Sequence, residues 1–433
     1  MNFKNTFCSS PWFHMRIASD GTFNVCRWAR GDSKFHNPPT NIKTTKPEVF
    51  FKDTMATFRK KMINSDGSAI DACSSCYKME RYGKVSGRQR QLLKSGIRLD
   101  ENYEKTLASS PWLNEFKKTQ NNNSITSMPQ DWQIDLGNLC NSGCIMCSPV
   151  SSSFLETEFK KINILEKKQP KSWVNDPVAV DNFLECIDKS PKISYMHFIG
   201  GEPLINPAFK TILSKLVETG LSKNITIGFT TNITVWDESL IEIFKYFHNI
   251  NVGLSIECLH PVNDYIRYGS NISKTKEILN KWKAVSNANS WLVQIRTTPT
   301  AFSIEKLYTI YEYAWENKFS VESCDFLEEP KFLRPSVLPQ KFKKIAIANL
   351  NNWIDGKTEK TDANISVENS RNPDSIRKYL LEDAKSYVNY LKNSEDESYR
   401  LPDLVEYISK LEKSRNNSIL DYLPHYEFLF ENY

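Results

Sequence analysis

Residues 129–330 alternate short strand-like apolar runs with amphipathic helical stretches. That alternation predicts an α/β fold, a partial (β/α)6 TIM-like barrel of parallel strands and crossover helices. Two further observations complete the outline. Four cysteines in two pairs precede the barrel pattern and mark a small N-terminal domain over 1–100, which a polar tract at 101–128 links to the barrel. After Pro330 the strand pattern stops, and helical stretches run through 331–433.

Within the barrel region the strand-like runs are Gln133 to Leu136, Tyr195 to Ile199, Ile225 to Thr230, Val252 to Glu257, Trp291 to Thr297 and Phe319 to Phe326. Between them, Pro207 to Glu218, Asp237 to Phe247, Ser273 to Val285 and Ser303 to Asn317 carry apolar residues at helical spacing. Chemistry in such barrels gathers at the C-terminal ends of the strands. Gln340 to Trp353, Asp374 to Lys392 and Leu404 to Lys413 read as helices of the C-terminal region, where no catalytic constellation is found.

Composition narrows the functional classes. The chain has 433 residues, 40% hydrophobic and 25% charged, which is globular rather than disordered or fibrous. Its formal charge of +5 is a small difference between 56 basic and 51 acidic residues and gives little support to a nucleic-acid or membrane partner. No apolar run approaches the roughly 18 residues of a membrane span, and the opening Met-Asn-Phe-Lys-Asn-Thr-Phe-Cys has no apolar signal core. The expectation is a cytoplasmic protein, in which ten cysteines serve as metal ligands and thiols rather than disulfides.

Seven of those cysteines fall into metal-like groups. Cys140-Asn-Ser-Gly-Cys144-Ile-Met-Cys147 places three thiolates within eight residues, directly after the first barrel strand. Such a loop can wrap one iron–sulfur cube and hold three of its four irons, leaving the last open for a ligand. A closed structural site would need a fourth protein ligand. Upstream, Cys8, Gly21 and Cys26 bracket two short strands joined at Asp20-Gly21, so a hairpin brings Cys8 and Cys26 together. Cys73-Ser-Ser-Cys76 supplies two more ligands from a helix start, and chemistry alone allows zinc or iron–sulfur at these four. The basic stretches Arg27 to Arg30 and Lys78 to Arg90 read as a solvated face or a shield for an anionic cluster before they read as a grip on an anionic substrate. Cys186, Cys258 and Cys324 are isolated among apolar neighbours and read as small buried hydrophobes, with Cys324 near a strand end where substrate could be met.

The CxxxCxxC loop resembles that of the radical SAM superfamily, although many members carry an aromatic residue where this chain has Met146. Companions follow in the family's order. Gly200-Gly-Glu-Pro203 after the second strand looks like the segment that receives the amino group of S-adenosylmethionine, which implies roles for Gly200, Gly201 and Glu202. Phe229-Thr-Thr-Asn232 is similar to the strand end close to the cofactor, and Leu254-Ser-Ile-Glu257 implies Ser255 near its carboxylate or ribose. Glu257 stands where relatives have the shorter aspartate, and Arg267 where they keep an arginine for the methionyl carboxylate. Arg296 either points into the barrel or pairs with a structural carboxylate. The spacing Cx12Gx4C looks like the opening of SPASM and twitch modules, placed here before the barrel as in the group with an N-terminal twitch domain.

The resemblance implies S-adenosylmethionine, a [4Fe–4S] cluster on Cys140, Cys144 and Cys147, and a second auxiliary [4Fe–4S] cluster on Cys8, Cys26, Cys73 and Cys76. It implies an enzyme that cleaves S-adenosylmethionine reductively and abstracts hydrogen from a peptide or protein side chain, with flavodoxin or ferredoxin as reductant. Modification of a nucleotide, sugar or other small metabolite is the alternative within enzymes. A zinc-dependent nucleic-acid-binding module is the alternative of another class.

Overall fold

The computed structural model describes residues 7–26, 29, 40–64, 71–81, 86–110, 116–117, 119, 125, 127–165, 169–323, 327, 329–358 and 373–433. Its strands are β1 His14–Ile17, β2 Phe23–Asn24, β3 Asp131–Asp135, β4 Gly143–Cys144, β5 Tyr195–Ile199, β6 Thr226–Thr231, β7 Asn249–Ser255, β8 Arg267–Tyr268, β9 Leu292–Thr297 and β10 Ser320–Ser323. Eight of them form one sheet in the order β10-β9-β7-β6-β5-β3-β1-β2, and β4 pairs with β8 separately. The six strands expected for the barrel therefore stand side by side in chain order, as a partial TIM-like barrel requires. Cys324 and the end of the last expected strand lie outside the described residues.

The chain divides into two compact units. The first contains Met1–Asn138, Pro170–Gly228 and Ser239–Asn249. Here β1 and β2 form the expected antiparallel hairpin, with Arg16 opposite Asn24. The other edge of β1 pairs in parallel with β3, from His14 opposite Asp131 to Ile17 opposite Ile134, and β3 pairs in parallel with β5. The N-terminal hairpin is thus hydrogen-bonded into the barrel sheet. Trp132 packs edge-on to Phe183, which meets Trp173, and Phe198 meets Phe209 on the helix Pro207–Glu218. Arg59 is fully buried, and its guanidinium donates to the carbonyls of Pro11, Phe51 and Lys52. Those bonds offset the cost of burying the charge and tie the helix Met55–Asn64 to the N-terminal turn.

The second unit contains Leu139–Gln169, Phe229–Glu238 and Ile250–Tyr433. Strands β7, β9 and β10 are parallel, with Ser255 opposite Arg296 and Arg296 opposite Glu322. The long helices Gln340–Thr358 and Pro373–Asn393 pack together, and a buried bond from the Tyr311 hydroxyl to Asp383 links the latter to the helix Tyr308–Asn317. The helix Leu401–Arg415 buries the stripe Leu401, Leu404, Ile408 and Leu411, and Arg415 continues that stripe in its last turn. Cys186 and Cys258 are buried, as their apolar flanks predict. No described helix is long and apolar enough to cross a membrane.

Candidate functional site

The cysteine loop of the second unit is held from several directions. Ser152 caps the helix Ser153–Lys161 by accepting from the Leu155 amide, and its hydroxyl donates to the Ser142 carbonyl at 2.7 Å. Ser153 accepts from the Cys140 amide at 3.1 Å. Asn232, at the end of β6, donates to the side chains of Asn141 at 2.8 Å and Ser142 at 3.0 Å, and its amide nitrogen stands 3.9 Å from the Cys140 sulfur. The threonine–asparagine strand end therefore orients the loop itself. In the β4–β8 ribbon, Cys144 lies opposite Arg267 and Gly143 opposite Tyr268. A Cβ on Gly143 would come within 2.8 Å of the Phe154 ring and 2.9 Å of Arg415 Nη2, so only glycine admits both neighbours.

Arg267 and Glu257 form the charged floor of this site. The guanidinium donates from Nε and Nη2 to Glu257 Oε1 at 3.1 and 2.5 Å, and Nη1 stands 3.7 Å from the Cys144 sulfur. Glu257 is fully buried, and its other oxygen accepts from the Thr298 amide at 2.6 Å and the Thr297 hydroxyl at 3.2 Å. The methylene that Glu257 has beyond the familiar aspartate thus reaches an ion pair. Burial opposes charge on Arg267, but the Glu257 carboxylate and then the Cys144 sulfur outweigh it and raise its pKa. Ser255 closes β7 opposite Arg296. Arg296 lies across β7, where a Cβ on Gly253 would strike its Cδ at 2.4 Å. Its Nη1 donates to Thr230 at 2.8 Å, and Nε stands 2.7 Å from Glu322, so it has the structural carboxylate that was one of the two expectations.

Replacing Glu257 with alanine leaves the Arg267 guanidinium without its countercharge and strips the acceptor from two further donors. Removing one partner of a buried pair costs about 3–5 kcal/mol. A urea titration of Glu257→Ala is expected to show a loss of that size, with Glu257→Gln losing less. Equal midpoints for wild type and Glu257→Ala would contradict this account.

The Gly-Gly-Glu turn belongs to the first unit. Gly200 has φ +95°, and a Cβ there would sit 2.2 Å from Asp135 Oδ1 and 2.6 Å from the Gly137 carbonyl oxygen. Glycine is therefore needed both for the left-handed backbone and for the close approach. Glu202 is buried and accepts from the Leu204 amide at 3.1 Å, capping the short turn that follows. Asp135 accepts from the Gly137 amide, and burial pushes its carboxyl pKa up.

The four N-terminal cysteines lie in the first unit, with Cys73 within electrostatic reach of the other three. Burial pushes the Cys73 thiol up first, and Cys8, Cys26 and Cys76 push it further. Cys8 is likewise raised by burial, with Cys76 adding to the effect. Arg88 faces this group from the helix Gly87–Lys94. It is buried, paired with Glu80, bonded to the Phe7 carbonyl at 2.9 Å and seated over the Tyr77 ring at 5.5 Å. At Arg88 the basic stretch is therefore buried and paired, not a solvated face. Arg27 and Arg30 lie outside the described residues.

Both cysteine groups suit a metal–sulfur centre. Burial raises the Cys144 and Cys147 thiols, the latter to about 12, with Cys144 the next cause for Cys147. A cationic centre bound among such thiols supplies the positive charge that favours their ionised, ligating form. Among the described residues no three His, Cys, Asp or Glu side chains share one ion position. A cube instead takes each cysteine on a different iron.

Residues 134–295 match the model of the radical SAM superfamily. The match covers that stretch, which carries Cys140, Cys144 and Cys147, and not the rest of the chain. Among solved structures, SuiB of Streptococcus suis bound to S-adenosylmethionine aligns at 17% identity and TM-score 0.38, over 70% of this chain and 62% of that one. SuiB bound to its precursor peptide SuiA aligns at 19% and 0.35, over 71% and 63%. Native anSMEcpe with bound AdoMet aligns at 18% and 0.36, over 54% and 60%. The chain thus spans less than two thirds of each of these structures. No curated protein matches.

Proposed function

We propose that this chain cleaves S-adenosylmethionine reductively and abstracts hydrogen from a substrate that is a peptide or protein side chain. One observation carries the reading. Three cysteines in a radical SAM domain lie on a loop fastened by Asn232, Ser152 and Ser153, with the Arg267 guanidinium 3.7 Å from the central sulfur. Cys140, Cys144 and Cys147 would hold a [4Fe–4S] cluster, which supplies the electron for cleavage to a 5′-deoxyadenosyl radical once flavodoxin or ferredoxin has reduced it.

The protein's own residues do the positioning. Gly200 and Gly201 give a backbone that a ligand can approach closely, and Glu202 supplies a carboxylate for the methionine amino group. Arg267, held by Glu257, supplies a cation for the carboxylate end, and Ser255 a hydroxyl for the carboxylate or ribose. Cys8, Cys26, Cys73 and Cys76 would hold a closed auxiliary cluster, which has no open iron and serves electron transfer or the substrate side. The peptide preference rests on the resemblance of this N-terminal module to SPASM and twitch modules.

Anaerobic reconstitution followed by reduction is expected to give labile sulfide, iron and 5′-deoxyadenosine. Charge-assisted contacts are worth about 1.5–3 kcal/mol each, so Glu202→Ala and Arg267→Ala should each weaken S-adenosylmethionine binding roughly ten- to hundredfold. Wild-type affinity in both variants would remove the assigned cofactor contacts. Zinc without labile sulfide would reject the enzyme mechanism.

A further inference from the structure

The β4–β8 ribbon that carries Cys144 has only two residue pairs, and an isolated ribbon of that size does not hold itself in water. Besides Ser152, Ser153, Asn232 and a bond from the Ile145 amide to the Ile266 carbonyl, it draws support from far along the chain. The carbonyl just before Cys144, that of Gly143, accepts from Arg415 Nη2 at 2.8 Å. The carbonyl just after it, that of Ile145, accepts from the Tyr407 hydroxyl at 2.9 Å. Both donors stand on the helix Leu401–Arg415.

Arg415 is buried, and such a cation persists only with a partner. Glu158 meets it with both oxygens, at 2.9 Å to Nε and 2.7 Å to Nη2, and the guanidinium stacks over the Tyr268 ring at 4.5 Å. Glu158 itself comes from the helix that Ser152 caps, directly after the cysteine loop. Tyr407 packs its ring against Phe159 and Phe332.

We propose that this C-terminal helix, through Tyr407 and Arg415, clamps the backbone on both sides of Cys144. The clamp sets where that sulfur stands and how readily the cluster it would bind takes up an electron. Tyr407 and Arg415 are positioning residues, which act through the backbone on either side of Cys144. The clamp rests on the hydrogen bonds above, and its redox consequence rests on the cluster assignment in the proposed function.

Two readouts test it. The first is amide hydrogen exchange over residues 143–147, which needs no metal. Tyr407→Phe keeps the ring and removes one hydroxyl, and several-fold faster exchange there is expected. The second is the midpoint potential of the reconstituted cluster, followed by its EPR signal. Reduction adds negative charge, so nearby positive charge favours it. Glu158→Gln leaves Arg415 uncompensated and should raise the potential. Arg415→Gln leaves Glu158 uncompensated and should lower it.

A helix that merely contributes to folding would move the two variants alike. Opposite shifts together with faster exchange support the clamp. Unchanged exchange in Tyr407→Phe, or shifts of one sign in the charge variants, overturns it. A wild-type chain that takes up no cluster rejects the cluster assignment, and hydrogen exchange then decides the clamp by itself. Should Arg415→Gln fail to fold, Glu158→Gln and Tyr407→Phe still give a definite answer.

Discussion

Replacing Cys140, Cys144 and Cys147 together with alanine is expected to abolish formation of 5′-deoxyadenosine from S-adenosylmethionine under anaerobic, reducing conditions. Asn232, Ser153 and Arg267 bond to the loop or stand beside its sulfurs, and none of them supplies a thiolate. The fold should survive, because Cys140 and Cys147 are only partly buried. Cys144 is buried, yet alanine removes just one sulfur there, at a cost on the order of 1 kcal/mol. A cluster on Cys8, Cys26, Cys73 and Cys76, as proposed, should be retained. Chromatography of the reaction mixture, circular dichroism and iron analysis read the three parts of this result. Undiminished cleavage by the triple variant would sink the assignment.

The second large effect concerns Cys73 and Cys76. With two [4Fe–4S] clusters the wild type should carry about eight irons, and Cys73→Ala/Cys76→Ala about four. Four cysteines leave no iron of the auxiliary cluster open. The double variant should therefore still cleave S-adenosylmethionine in the absence of substrate while failing to turn substrate over. Arg88 then gains a diagnostic role. It is the buried cation beside these thiols and favours their ionised form. A wild type with about four irons and with zinc at the N-terminal site would reject the auxiliary cluster and restore the zinc reading.

The parts of this molecule written in local patterns could be read from the sequence. Period-two apolar runs located the six barrel strands to within a few residues, and amphipathic spacing located the crossover helices. Pro207–Glu218 is one instance, with Pro207 at the helix start and Asn206 capping it. The Cys140–Cys147 spacing was legible for the same reason, since a cube constrains neighbouring residues of one loop.

What escaped depends on residues distant in sequence. Nothing in His14–Ile17 says that its second edge meets β3, because a strand of four residues looks the same whichever neighbour it finds. The Glu257–Arg267 pair was hidden by analogy, which looked to a ligand for Arg267 and assigned Glu257 no contact. Arg415 did leave a signal. It occupies the position that continues the stripe of Leu401, Leu404, Ile408 and Leu411, and a charge at a core-facing position demands a buried partner. Glu158 beside Phe159 in its own helix is the matching signal.

The seating of β1 beside β3 has a consequence for how the chain is made. During synthesis β1 emerges first, but the strand it pairs with lies more than a hundred positions later. At ordinary elongation rates that is a wait of several seconds or more, during which the hairpin has one unpaired edge and apolar side chains such as Met15, Ile17 and Phe23 without their cover. Deleting the N-terminal segment to simplify the protein would move the same liability onto β3, whose outer edge would then be a bare template for other chains. Truncated forms beginning near residue 129 should accordingly collect as aggregates, and co-expression of the missing segment as a separate polypeptide is the natural way to return them to solution.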